Sequence, residues 1–92
     1  MIYKKIKTIC GFSISKELDV IIDEDGKDYY IAKFINTHPF IETLYGYGGT
    51  TESAFQMLQN ELDNLYIDVN EDNDYTGEIL DAKDFLNEIT GN

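Results

Sequence analysis

The middle of the chain shows a helical spacing of apolar residues. Between Thr50 and Tyr66, apolar side chains recur every three or four positions, and polar side chains occupy the opposite side. This period predicts an amphipathic helix whose apolar positions are Ala54, Phe55, Leu58, Leu62, Leu65 and Tyr66. Thr50 is its expected N-cap, because the threonine hydroxyl can accept from the backbone N–H three residues later. We expect this helix to pack on a sheet through Phe55, Leu58 and Leu62.

The residues before this helix alternate between apolar and polar, which is typical of strands. Residues 2–14 are expected to form one strand with an apolar face, bent at Gly11, and residues 15–17 to form a turn. Residues 18–23 and 29–35 are β-rich runs that flank an Asp-Gly pair. An Asp-Gly dipeptide in this position predicts a β-hairpin.

Residues 42–47 predict a further strand that leads into the main helix. Gly46, Gly48 and Gly49 lie where this strand ends. We expect these glycines to let the backbone adopt positive φ angles at the change of direction, since glycine has no Cβ to clash there.

The last quarter of the chain predicts short elements. Residues 67–69 and 77–80 are expected to be brief strands, and a second helix is expected to begin with Asp81 as its cap. The helical spacing there involves Ala82, Phe85, Leu86 and Ile89. Together, the elements predict an α+β fold in one domain, residues 1–92. Its antiparallel sheet has three to four strands packed against one main helix, with a short C-terminal helix.

Length and cysteine content limit the class of protein. A chain of 92 residues is short for two separate hydrophobic cores. We expect no secretory signal, because no apolar run follows the first lysines, and no transmembrane helix. The single cysteine, Cys10, has no partner for an internal disulfide, which favours a cytoplasmic location.

The negative charge is concentrated in the second half of the chain. Residues 1–41 contain six lysines and six acids, whereas residues 42–92 contain twelve acids and only Lys83, for a net charge of −11. A field of this sign repels nucleic acids and anionic lipids and attracts basic protein surfaces. We therefore expect no direct binding to nucleic acid or membranes.

Candidate catalytic and metal-binding motifs are weak. Asp68, Asn70, Asp72 and Asp74 have the spacing of the first half of a calcium loop, but the glycine and the closing glutamate of such a loop are missing. The only histidine, His38, is accompanied by no nucleophile motif. We expect no enzymatic activity, no catalytic residue, no metal site and no cofactor.

An acidic loop is the best candidate for a partner-binding patch. It combines clustered carboxylates with an aromatic side chain, and its residues are Glu71, Asp72, Asp74, Tyr75 and Glu78. Tyrosines beside acids suit docking on a basic protein, and Tyr29, Tyr45, Tyr47 and Tyr66 are further candidates. The alternative surface is the polar face of the main helix, with Gln56, Asn60 and Asp63.

Several short motifs between residues 19 and 69 carry a resemblance to a known family. They are Val20-Ile21-Ile22-Asp23-Glu24-Asp25-Gly26, Tyr30-Ile31-Ala32, Pro39 and Gly48-Gly49-Thr50-Thr51-Glu52-Ser53-Ala54. This segment resembles the core of the HicB-like antitoxin family. The resemblance implies a compact α+β fold, often dimeric, that neutralises a small basic RNA-cleaving toxin. The DNA-binding module of that family has no counterpart here.

The leading hypothesis is therefore a non-catalytic acidic protein that sequesters the basic, nucleic-acid-facing surface of a partner protein. An antitoxin-like protein and a phage inhibitor of a defence nuclease, that is, an anti-CRISPR-like protein, both fit this description. The alternative is a small regulatory or scaffold domain that acts by binding a ligand or by forming homo-oligomers, including a homodimer. Salt distinguishes the two, because electrostatic sequestration weakens as salt rises.

Overall fold

Among the described residues, four strands are followed by two α-helices, with a short 3-10 helix before the last strand. A computed structural model describes residues 1–71 and 77–91. The elements are β1 (Ile2–Ile9), β2 (Phe12–Glu24), β3 (Tyr30–Ile35), the 3-10 helix (Ile41–Thr43), β4 (Tyr45–Gly48), α1 (Thr51–Glu71) and α2 (Gly77–Thr90). This confirms the α+β fold with one long helix and a shorter C-terminal one.

The sheet is an antiparallel meander in the order β1-β2-β3-β4. Alternate side chains of the strands are buried beneath the helices, and they join the buried positions of α1 and α2 in one apolar cluster. The strand residues of this core are Ile6, Ile9, Leu18, Val20, Ile22, Ala32 and Phe34. The opposite face of the sheet has no helix packed on it among the described residues. Neither α1 nor α2, the α-helices of the described chain, is long and apolar enough to cross a membrane.

The first hairpin differs from the prediction. Cys10 and Gly11 form a tight turn with positive φ angles of 50° and 82°, so the chain reverses where a bend was expected. Two-residue hairpin loops of this kind need positive φ at both central residues. Glycine adopts such angles easily, whereas cysteine is not a residue type that indicates a turn in a sequence. Residues 15–17, expected to be a turn, lie inside β2.

The second hairpin is confirmed, whereas the fourth strand is shorter than expected. Residues 42–44 precede β4, and Glu42 and Thr43 belong to the 3-10 helix. The Thr43 hydroxyl donates to the Phe40 carbonyl over 2.6 Å, and Ile41 is completely buried. Burial of Ile41 therefore directs this segment into the core before the strand begins.

The main helix begins as predicted. Thr50 Oγ1 accepts from the backbone N–H of Ser53 over 3.0 Å, and Ser53 Oγ accepts from the backbone N–H of Thr50 over 3.1 Å. These reciprocal bonds satisfy two backbone donors, as in a capping box. Leu58 and Leu62 are buried as expected, whereas Phe55 is only half-buried.

Both helices are longer than predicted. Residues 67–69, expected to be a strand, continue α1, and Val69 is buried two turns after Leu62. Residues 77–80, also expected to be a strand, are the first turn of α2, so Asp81 lies inside the helix and is not its cap. Short apolar runs do not distinguish strand from helix, and here tertiary packing decides in favour of helix.

The glycines of β4 bring the strand close to α1. Neither these two glycines, Gly46 and Gly48, nor the following Gly49 has a positive φ, which contradicts the expected role. Instead, a Cβ at Gly46 would collide with the backbone of Ala54 and Leu58, and one at Gly48 would collide with the Ser53 side chain. The absence of a side chain thus allows the backbone of β4 to approach the helix.

Candidate protein-binding surfaces

The net charge follows the layers of the fold. Residues 1–48, which contain the sheet, have six lysines and seven acids, whereas residues 49–92, which contain both helices, have one lysine and eleven acids. Lys5 pairs with Asp19 over 2.9 Å and Lys7 with Glu17 over 3.8 Å, both within the first hairpin. Almost all of the excess negative charge therefore belongs to residues 49–92, which we call the helical segment.

An exposed row of carboxylates follows the outer side of α2. Asp81, Asp84 and Glu88 are spaced at i, i+3 and i+7, opposite the buried Ala82 and Leu86. Within the described chain, none of these three carboxylates forms a salt bridge. We call this row the acidic stripe. The stripe was not predicted from the sequence, although its spacing is the polar complement of the apolar pattern.

The structure describes only part of the predicted acidic patch. Glu71 is the last residue of α1, and Glu78 lies in the first turn of α2; both are exposed. Asp72, Asp74 and Tyr75 lie outside the described residues. Glu71 sits at the negative end of a helix dipole, where a carboxylate is unfavourable, and Glu78 sits at a positive end.

The three residues of the alternative patch on α1 differ in exposure. Gln56 and Asn60 are exposed, and their side chains are hydrogen-bonded over 3.2 Å. Asp63 is half-buried: its Oδ1 accepts from the backbone N–H of Cys10 over 2.9 Å and from Gln59 Nε2 over 3.0 Å. Asp63 thus anchors the tip of the first hairpin to α1. Burial, with a smaller contribution from Asp63, raises the pKa of the Cys10 thiol.

The face of the sheet opposite the helices is a second candidate surface. The strand register aligns one row across all four strands, and a second row crosses β2, β3 and β4. The first row is Tyr3, Ile21, Lys33 and Tyr45, and the second is Asp23, Ile31 and Tyr47. Lys5, Asp19 and Ile35 form a neighbouring row. We call these ten residues the open sheet face.

The structure brings three of the candidate tyrosines together. The ring of Tyr47 lies 5.8 Å from that of Tyr29 and 6.1 Å from that of Tyr45, and all three are exposed. Tyr66, by contrast, is half-buried against the core, and Tyr75 lies outside the described residues. Two members of this tyrosine cluster, Tyr45 and Tyr47, belong to the open sheet face, and Tyr29 adjoins them.

His38 makes contacts that position its loop. Its Nδ1 accepts from the backbone N–H of Phe40 over 3.1 Å, and its ring lies 5.7 Å from that of Phe85 on α2. These contacts join the loop before the 3-10 helix to the C-terminal helix. The expectation that no activity depends on His38 stays a prediction.

The first two residues of the calcium-loop motif lie on a helix and not in a loop. Asp68 and Asn70 lie on α1, and the Asn70 side chain donates to the Tyr66 carbonyl over 2.8 Å. Residues two apart on a helix do not face each other. Asp72 and Asp74 lie outside the described residues, which contain no group of three or more potential metal ligands.

Comparisons with protein-family models, curated proteins and solved structures find no match. The resemblance to HicB-like antitoxins therefore stays a prediction.

Proposed function

We propose that this chain is a non-catalytic acidic binding protein that sequesters the basic, nucleic-acid-facing surface of a partner protein. The observation that carries the proposal is the layered charge: eleven of the eighteen acids and only one of the seven lysines belong to the helical segment. The antitoxin-like and anti-CRISPR-like roles are both examples of this function. The unpaired Cys10 supports action in the cytoplasm.

The acidic stripe supplies a rigid array of charges for such a partner. Asp81 and Glu88 are seven residues apart on one helix, so their Cα atoms are separated by about 10 Å along its axis. Helical backbone fixes this spacing before binding, which lowers the entropy lost on association. Carboxylates held in this way compete with phosphates for the partner's lysine and arginine side chains.

The predicted patch Glu71, Asp72, Asp74, Tyr75 and Glu78 runs in sequence from the last residue of α1 to the first turn of α2. We propose it as a second part of the partner-binding surface. Tyr75 is its proposed aromatic anchor, since tyrosine is enriched among the residues that contribute most to interface affinity.

Unfavourable charge placement supports the same proposal. Neither helix has a basic residue in its last turn, although a cation is favoured there. Glu71 and Glu88 occupy these turns instead. Binding surfaces commonly retain residues that lower stability, so these carboxylates fit a role in recognition better than a role in folding.

The test uses three double variants that change the net charge equally. Asp72→Lys with Asp74→Lys alters the predicted patch, and Asp81→Lys with Asp84→Lys alters the acidic stripe. Glu24→Lys with Asp25→Lys is the control, at the end of β2 and the start of the turn that follows it. The unaltered chain, immobilised at low salt, is used to isolate basic proteins from its native host. Affinity for the isolated protein and competition with a labelled RNA or DNA oligonucleotide are then measured.

We expect the patch and stripe variants to bind at least about tenfold more weakly, which corresponds to about 1.4 kcal/mol, and the control to bind normally. Binding should weaken as salt rises, and the chain should displace the oligonucleotide. Equal loss of affinity in all three variants would indicate a non-specific charge effect, and salt-insensitive binding would contradict the proposal.

A second candidate function is a scaffold that acts by homo-oligomerisation. The open sheet face favours this candidate, because it combines exposed aromatic side chains with balanced charges. The two functions are compatible, since they use opposite sides of the fold.

A further inference from the structure

We propose that the open sheet face is a self-complementary interface that binds the same face of a second copy of this chain. This inference rests on the second candidate function, which uses the same face. It is independent of the proposed partner binding, because neither the acidic stripe nor the predicted acidic patch belongs to the interface. Three features support a second copy as the occupant: the arrangement of apolar side chains, the balance of charge on the face, and the position of the acidic helices.

The apolar side chains of the face have the arrangement of an interface. Ile21, Ile31 and Ile35 are half-buried on the two central strands. Tyrosines lie on both flanks, with Tyr3 on β1 exposed by 68% and Tyr45 on β4 by 53%. An apolar centre with tyrosines around it is the composition found in protein–protein interfaces. Packing of another sheet would cover these side chains, as in a β-sandwich.

The charges of the face identify the partner. Lys5 and Lys33 balance Asp19 and Asp23, so the face is neutral in a chain whose net charge is −11. Lys5 and Asp19 already form a salt bridge, whereas Lys33 and Asp23 have no ion pair within the described chain. In a two-fold symmetric interface each copy supplies both groups. Lys33 of either copy can then pair with Asp23 of the other.

The same neutrality argues against other occupants. A nucleic acid would be repelled by the acidic chain and would find no basic surface here, since the two lysines are offset by two carboxylates. A strongly basic protein would be attracted to the helical segment, which has the excess of acids. A surface with equal numbers of both signs matches a copy of itself.

Face-to-face packing also keeps the acidic helices apart. Packed sheets lie about 10 Å apart, and a helix layer adds about 10 Å on each side. The two helical layers would therefore be separated by about 30 Å, several times the Debye length of about 8 Å at physiological salt. Two chains of like charge can meet through this face with little mutual repulsion.

The test measures self-association of the purified full chain by sedimentation equilibrium at concentrations up to about 1 mM, so that a dimer with a Kd as weak as about 1 mM is detected. Ile31→Asp introduces a charge into the apolar centre of the face. Ile67→Asp is the matched control, because it makes the same chemical change at an exposed position of α1. Circular dichroism and denaturation establish that each variant is folded.

A charge exchange tests the proposed pair directly. Lys33→Glu makes the face acidic and should weaken dimerisation by at least about tenfold. Lys33→Glu combined with Asp23→Lys restores neutrality with the signs exchanged, and should return the affinity to within about threefold of the original. A role of Lys33 that does not involve Asp23 would not be rescued in this way.

We expect a dimer that is disrupted by Ile31→Asp and unaffected by Ile67→Asp. A chain that stays monomeric throughout the concentration range would overturn the inference. So would a dimer that responds to Ile67→Asp but not to Ile31→Asp, or the absence of rescue by the charge exchange. Failure here would remove the scaffold candidate but leave the proposed partner binding intact, since partner binding is measured with variants of the helical segment.

Discussion

Asp63 shows how a candidate recognition residue becomes a structural one. From the sequence it belongs to the polar face of a helix, where it would be exposed. In the structure its carboxylate accepts a hydrogen bond from the backbone N–H of Cys10 at the tip of the first hairpin. A second contact to the hairpin comes from Gln59, whose side chain donates to the Thr8 carbonyl over 2.9 Å. These contacts became visible only once the position of the turn was known.

We predict that Asp63→Ala lowers the free energy of unfolding by about 1.5–3 kcal/mol, the range for hydrogen bonds to charged groups. The backbone N–H of Cys10 would lose its acceptor, and the hairpin tip would lose its tie to α1. Urea denaturation provides the measurement. Asp84→Ala removes an exposed carboxylate of the same type and should change stability by less than about 0.5 kcal/mol. Equal effects of the two changes would show that the Asp63 contacts contribute nothing.

The packing of β4 against α1 depends on glycine in a way that the sequence pattern does not reveal. A glycine cluster before a helix suggested positive φ angles, but close approach of two backbones needs the same residue type for a different reason. The sequence pattern alone does not show whether a glycine is needed for a positive φ angle or for close approach of two backbones. The structure does, because Gly46 would place a Cβ against the helix backbone and Gly49 would not.

Gly46→Ala should therefore destabilise the fold by about 1–3 kcal/mol, the usual cost of overpacking. Helix backbone cannot move aside as a flexible side chain can, so β4 must shift away from α1. The matched control is Gly49→Ala, whose Cβ would lie 3.7 Å from the nearest atom, the Asp28 carbonyl oxygen. Thermal or urea denaturation of both variants gives the comparison. A larger loss at Gly49 would contradict the packing argument.

The sequence predicted those elements whose signals are local. The α1 N-cap at Thr50, the helical period of Leu58 and Leu62, and the hairpin around Gly26 are all present. The turn at Cys10 and Gly11 was missed because cysteine is an uncommon turn residue, and the errors in the last quarter of the chain occurred where tertiary contacts decide. Val69 extends α1 because it reaches the core, and residues 77–80 are helical although their apolar pattern is too short to assign. The open sheet face was not predicted, because strand register is needed to place Tyr3, Ile21 and Tyr45 in one row.

The whole molecule presents two different surfaces. The helical segment carries most of the negative charge, and the open sheet face is neutral and partly apolar. Proposed partner binding and proposed self-association therefore use different forces and different sides of the fold. A dimer formed through the sheets would present two acidic surfaces pointing away from each other. Such an arrangement could bind two partner molecules or one symmetric partner.

The uncompensated charge of the helical segment should lower its stability, which leads to the last prediction. Glu88 lies in the last turn of α2, where the helix dipole disfavours an anion, and one turn after Asp84. Glu88→Lys reverses both effects and should raise the free energy of unfolding by about 0.5–1.5 kcal/mol. Glu24→Lys makes the same charge change at the end of β2 and should have a smaller effect. If Glu88 belongs to the partner-binding surface, its variant should be more stable and yet bind the partner more weakly. A loss of stability in Glu88→Lys would instead show that this carboxylate supports the fold.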